Sequence, residues 1–163
     1  MEVRRVRPGE WRELRSIRLR ALGDAPSAFG STLVREEAQA ESVWHQWAEE
    51  RWEDGDLATF VAVDGEGWWG IAAGFHRHAE PHPKLIAMWT DPAHRRQGTG
   101  RLLVDAVAGW ARHRGATELR LWVTETNEPA RALYAELGFE PTSERKPLPS
   151  DPARMEVAMR LAL

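Results

Sequence analysis

The sequence predicts a mixed α/β domain in which a mostly antiparallel central sheet of about six to seven strands is flanked by about four helices. Two apolar runs on either side of "DGEG" at 64–67 give a hairpin signal. A strand, a helix and another strand then follow within about forty residues from Lys84. Such a crossover unit makes those two strands parallel inside an otherwise antiparallel sheet. Upstream, apolar residues at helical spacing predict two helices packed against it.

In chain order, "EVRRVRP" reads as a modest first strand ending at Pro8. Over Glu10 to Leu22, Trp11, Leu14, Arg15, Arg18 and Leu22 give an amphipathic helix that stops at "GDAP". Glu36 to Glu53 reads as one further helix, in which Trp44, Ala48 and Trp52 recur every four residues and Trp47 widens the stripe. Strands follow at Leu57 to Val63 and Trp68 to His76. "KLIAMWT", Lys84 to Thr90, is almost continuously apolar, which suits a central strand covered on both faces. Thr99 to Arg114 is a helix with Leu103, Val107 and Trp110 inward and Gly115 as its stop. "ELRLWVTE" is again strand, and Glu128 to Leu137 is a short helix opened by Asn127 as N-cap and closed by Gly138. Final strands are expected near Phe139 and over Met155 to Leu161, joined by "KPLPSDP" as a rigid loop.

The 163 residues fit a single domain, 1–163. A net charge of -3 gives no general attraction to nucleic acid or to anionic membranes. No apolar run approaches the roughly 18 residues of a membrane span, and the start lacks a leader's apolar stretch, so a cytoplasmic location is expected. With no cysteine there are no disulfides, thiolate zinc sites or cysteine nucleophiles. His76, His78 and His82 lack a closed ligand set, so no metal is expected. The arginines of the first strand and helix read as a solvated face balanced by Glu2, Glu10 and Glu13.

"RRQGTGR" lies where a strand gives way to a helix, the place where unpaired amides and the positive helix end attract phosphate. Gly98 and Gly100 allow close backbone approach, and Arg95, Arg96 and Arg101 add charged donors. A P-loop would need Lys and Ser or Thr where Arg101 and Leu102 stand, and a dinucleotide fingerprint would need glycine at Leu103. The P-loop reading fails, while a dinucleotide-binding fold stays as an alternative, with Glu125 as its ribose ligand.

"MWTDPAHRRQGTGRLLVDAV" followed by "LRLWVTETNEPARALYAELGFEP" closely resembles the GCN5-related N-acetyltransferase (GNAT) family, tightly over Lys84 to Thr142. The resemblance implies acetyl-CoA as co-substrate, held in a cleft where the parallel strand pair splays apart. Its implied cofactor site takes in Met88, Trp89 and Thr90 on the central strand, then Arg95, Arg96, Gln97, Gly98, Thr99, Gly100 and Arg101. It ends with Asn127, Ala130, Arg131 and Tyr134, the N-x-x-A-x-x-L-Y segment. The implied reaction is acetyl transfer to a primary amine by direct attack, with Tyr134 as general acid. The implied acceptor is a small-molecule amine, a peptide N-terminus or a lysine, and homodimers are common in the family. The alternative is a non-catalytic CoA- or nucleotide-binding module of the same fold.

The chain's only asparagine and only tyrosine, Asn127 and Tyr134, stand seven residues apart, about 10 Å along one side of a helix. Ala130, Leu133 and Leu137 define the expected buried face, with Tyr134 at its margin and its hydroxyl available. Proton transfer from a phenol near 10 to a thiolate near 8.5 is uphill by about 2 kcal/mol, within reach of a positioned donor. The base that accepts the amine's proton is not marked; Glu125 and Asp91 are the carboxylates at hand, and water is the alternative. Trp44, Trp47 and Trp52 read either as core packing or as an aromatic acceptor wall.

Overall fold

The structure is a computed structural model that describes residues 1–50 and 55–163. Its strands are β1 (Glu2–Arg5), β2 (Leu57–Val63), β3 (Trp68–Phe75), β4 (Lys84–Thr90), β5 (Glu118–Thr124), β6 (Glu140–Leu148) and β7 (Asp151–Ala162). They form a 7-stranded sheet in the order β1-β2-β3-β4-β5-β7-β6. Every neighbouring pair is antiparallel except β4 and β5, as the crossover predicts. The apolar strand at Lys84 is accordingly central.

The α-helices are α1 (Trp11–Asp24), α2 (Leu33–Glu37), α3 (Glu41–Glu50), α4 (Thr99–His113) and α5 (Glu128–Glu136). The single helix expected over 36–53 is divided. Thr32 accepts a hydrogen bond from the Arg35 amide and caps α2, which has ended before α3 begins. Trp52, part of the expected tryptophan stripe, lies outside the described residues. No described helix is long and apolar enough to cross a membrane.

Two apolar layers enclose the sheet. On one face α1 and α3 bury Leu14, Ile17, Leu22 and Trp44 against Val61, Ile71 and Trp89. On the other, Leu103, Val104 and Val107 of α4 and Tyr134 of α5 pack on Leu85, Leu119 and Leu121. Each such aliphatic side chain contributes about 1.5–3 kcal/mol on burial. Gly74 in β3 lets α4 come this close, since a Cβ there would lie 2.4 Å from the Trp110 ring.

Three local readings are corrected. β1 ends at Arg5 rather than at Pro8. "KPLPSDP" is not a loop: β6 and β7 run into it from both sides, Leu148 pairs with Asp151, and only the two residues between them turn. Pro147 is tolerated because β6 is the outer strand, where a missing N–H interrupts no further pairing. The arginines of α1 are not all solvated: Arg18 turns to Glu36 on α2, and Arg20 to Asp91 and the Trp68 carbonyl.

Candidate cofactor and acceptor site

β4 and β5 meet as a parallel pair at Lys84 and Arg120, where the Arg120 amide also donates to the Pro83 carbonyl at 3.0 Å. Beyond that point the two strands share no register, and the edge of β4 that faces β5 is left open. The cause lies partly within β4. Its register against β3 shifts between Ile71 and Ala73, with Ile71 opposite Trp89 but Ala73 opposite Ile86. The extra residue is a β-bulge, and Ala87 takes φ 53. The bulge inverts the strand's alternation: Leu85 packs in the α4 layer, whereas Ala87 and Trp89 pack in the α1 layer.

At the open end of the cleft, a 3-10 turn (Pro92–His94) leads into Gly98, whose φ of 84 only glycine adopts without strain. Among the described residues, the amides of Gln97, Gly98, Thr99, Gly100 and Arg101 have no protein acceptor, the first closing bond being Leu102 N–H to the Gly98 carbonyl. A side chain added at Gly98 would meet nothing within 4 Å. Unpaired amides beside open space at a helix N-terminus suit a diphosphate.

The arginines expected to assist are not equivalent. Arg95 is a brace: its Nε donates to the Thr90 carbonyl at 3.0 Å and its Nη2 is paired with Asp24. Arg101 pairs with Glu136 at 3.3 Å, both exposed. Arg96, exposed and at φ 60, makes no ion pair among the described residues. The Gln97 amide nitrogen donates to the Ala93 carbonyl. Thr99 is buried, and Gly100 keeps α4 close to α5, since a Cβ there would come within 3.1 Å of Leu133 and 3.3 Å of Met88.

Met88 lies beside this contact, Trp89 is buried with its Nε1 donating to Asp24, and Thr90 supplies the carbonyl that Arg95 holds. Across the cleft, Asn127 caps α5, its Oδ1 accepting from the Ala130 amide at 3.2 Å. Arg131 donates to the Glu125 carbonyl. Tyr134 does not sit at the margin of α5. It is the buried residue of that helix, 7% exposed, with its ring centroid 5.6 Å from that of Phe139, while Leu133 and Leu137 are half-buried. Burial pushes the phenol up from its ordinary value, so it stays protonated through the physiological range.

Neither expected base is free. Glu125 is paired with Arg145 at 2.7 Å. Asp91 caps the turn before α4 and accepts from Arg20. Burial alone would raise its carboxyl, but the hydrogen bonds from Arg20 and from the Ala93 amide outweigh it and hold the group below the usual range. The histidines do not converge: His76 bonds the Glu80 carbonyl, while His82 lies 3.8 Å from Glu118.

A cavity of about 460 Å³ opens on the α1 face, beside the bulge at Ile86 and Ala87. Phe29, Trp47, Ile71 and Ala73 line it, together with Arg18, Arg35, Glu36 and Thr59. Trp47 is thus a wall, whereas Trp44 is fully buried core, meeting Trp47 edge-on at 4.9 Å. Of the tryptophan stripe expected to form either core or an acceptor wall, Trp47 lines this cavity, whereas its polar lining is not marked in the sequence. "STLVREE" shows a helix cap at Thr32, but nothing local marks Glu36 as buried, because its partner Arg18 is 18 residues away.

Comparison with known proteins identifies the family. Residues 11–139 match the acetyltransferase (GNAT) family. Mycothiol acetyltransferase of Thermobifida fusca is 33% identical over 152 residues, 86% of this chain and 44% of that protein. Streptothricin acetyltransferase of Streptomyces lavendulae is 40% identical over 88 residues, 53% of this chain and 47% of that one. The chain therefore spans less than half the length of these two relatives. Among solved structures, a ribosomal-protein-alanine N-acetyltransferase from Brucella melitensis superposes with TM-score 0.80 at 22% identity, covering 100% of both chains. The PaiA N-acetyltransferase of Thermoplasma acidophilum, solved with coenzyme A, superposes with TM-score 0.69 at 14% identity over 99% of this chain and 98% of that one. The chain belongs to the acetyltransferase (GNAT) family.

Proposed function

We propose that this chain is an acetyl-CoA-dependent N-acetyltransferase that acts on a primary amine. The observation that carries the reading is the pairing of an open β4 edge with a turn whose amides, from Gln97 to Arg101, lack protein acceptors. The first can extend its ladder to the amide groups of a pantetheine arm, and the second can take a diphosphate. Bound there, acetyl-CoA supplies an activated acyl carbon.

In the transfer, the acceptor nitrogen bonds to that carbon, the carbon–sulfur bond breaks, the nitrogen loses a proton and the sulfur gains one. Gln97, Gly98, Thr99, Gly100 and Arg101 hold the diphosphate through their amides, with Arg96 as the side chain left to assist. A backbone amide near Met88 donates to the developing oxyanion. Asn127, whose Oδ1 is committed to the cap, has its Nδ2 left for the arm, beside Ala130 and Arg131. Tyr134 Oη holds the proton for the departing sulfur. Its raised pKa does not exclude the role, because the same burial raises the affinity of the sulfur anion for a proton. With Asp91 and Glu125 both ion-paired, the amine's proton leaves to water.

The relatives' names span an antibiotic, a thiol and a ribosomal protein, so they do not fix the acceptor. The test is thiol release by the purified chain with acetyl-CoA and an amine panel, alongside calorimetric titration of CoA and of NAD. Binding of CoA but not NAD, with thiol release from at least one amine, is expected. CoA binding with no release from any amine would assign the chain as a binding module instead, and failure to bind CoA would refute both readings.

A further inference from the structure

We infer that the cavity beside the bulge selects amines that also carry a carboxylate on an apolar body, the pattern of an amino acid or a short peptide. This rests on the acetyltransfer reading above and goes beyond it by naming the acceptor's second functional group.

Charge on the cavity wall is the first ground. Its described charged residues are Arg18, Arg35 and Glu36. Glu36 is 1% exposed and bound side-on by Arg18, whose Nε donates at 2.8 Å and whose Nη2 engages the second carboxylate oxygen. That pair neutralises itself, and Glu36 cannot serve as an anionic seat for an ammonium. Arg35 remains, exposed at the rim, with no ion pair among the described residues. Among the described residues the wall thus carries a net positive charge.

Unused hydrogen-bonding capacity is the second ground. The Thr59 hydroxyl is buried in a residue 2% exposed, and it has no partner among the described residues. A buried hydroxyl without a partner costs about 1–3 kcal/mol, a cost that a bound oxygen would remove. Arg18 spends Nε and Nη2 on Glu36 and leaves Nη1 without a hydrogen bond among the described residues. A hydroxyl and a guanidinium N–H in one cavity can both donate to one oxygen group, and the positive charge of the described wall favours an anionic one. Phe29, Trp47 and Ile71 supply the apolar wall for the body between that group and the amine. Ala87 borders the same cavity, so an acceptor lying along it presents its nitrogen toward β4.

The test uses matched acceptors built on alanine, leucine and phenylalanine, each as free acid, amide and decarboxylated amine, with thiol release as the rate and calorimetry as an independent binding readout. The free acid is expected to exceed its amide in kcat/KM by tenfold or more, even though the amide's less basic nitrogen is more often neutral. Arg35→Gln should raise KM for the acid by about 10- to 100-fold, the value of one charge-assisted hydrogen bond, and leave the amide unchanged; Arg35→Lys should restore part of the loss. Thr59→Val should weaken acid binding without lowering Tm, a split that a merely structural hydroxyl would not give. Amides equal to or better than acids, or Thr59→Val and Arg35→Gln without effect on acid binding, would overturn the inference. Because calorimetry reads the pocket without turnover, an inactive chain that binds acids over amides sinks the transfer reading and supports the pocket.

Discussion

Tyr134→Phe isolates the proposed acid, since it removes one oxygen and leaves the ring in place. The ring is 7% exposed and packs on Phe139, and no protein group bonds the hydroxyl among the described residues. Its loss therefore orphans no partner, and stability at neutral pH should change by less than about 0.5 kcal/mol. The rate is another matter. A positioned general acid contributes about 10² to 10⁴, so kcat should fall by that factor while CoA affinity moves less than tenfold. The alkaline side gives a second signal. Burial raises the folded phenol above the unfolded value near 10, so above that pH the unfolded chain binds fewer protons than the folded one. Stability then falls as pH rises, by about 1.4 kcal/mol per pH unit from this group, and that portion of the slope should vanish in the variant. Stopped assays of thiol release and alkaline unfolding curves measure the two. Unchanged kcat in a folded Tyr134→Phe chain would remove the acid role, and an unchanged alkaline slope would refute the burial that motivates the pH claim.

Other perturbations probe other parts of the site and fold. Gly98→Ala meets no protein atom but forces φ 84 on a residue with a Cβ, at about 1–2 kcal/mol; titration should find CoA binding weakened about tenfold, with Tm lowered only slightly. Gly74→Ala puts a methyl 2.4 Å from the Trp110 ring and should cost about 1–3 kcal/mol in urea unfolding, with the damage confined to stability if Trp110 only packs. Glu156 is 8% exposed, and burial raises its carboxyl against the opposing pull of Lys146 at 3.8 Å. Its stability contribution is fully present below the unfolded value near 4.3 and is lost as pH rises through the raised folded one. Thermal melts should therefore find Glu156→Gln more stable than the parent at neutral pH, with the gain disappearing near pH 4.

What the sequence made legible, and what it hid, follows the range of the interactions concerned. The DGEG hairpin, the central apolar strand and the inward stripe of α4 are written in neighbouring residues, and each stands where its periodicity places it. The glycine turn was legible for the same reason, because a positive φ restricts residue type locally. The pairing of Arg95 was not legible, because its partner Asp24 is 71 residues away and no local pattern announces it. Nothing in "REE" marks Glu36 as buried, because its partner Arg18 comes from α1. On α5, i, i+3, i+7 spacing gave the right face but the wrong centre. Phe139, beyond the helix, draws Tyr134 inward and leaves Leu133 half-buried.

The least legible features lie at the site itself. Ala87 and Arg96 are the non-glycine residues at positive φ among those described, and they stand at the bulge of β4 and in the turn before α4. Each conformation costs about 1–3 kcal/mol and persists only where its surroundings over-determine it. For Ala87 the surroundings are β3, paired on both sides of the bulge, which leaves the extra residue no other place. For Arg96 they are two tied residues upstream, since Arg95 is held by Asp24 and Thr90, and Asp91 by Arg20. Composition predicts neither, because neither is glycine and each backbone is forced from outside. The α1 ion pairs thus reach the glycine turn from a distance: Arg20 and Asp24 anchor both ends of the segment from Asp91 to Arg95, which leads into the unpaired amides.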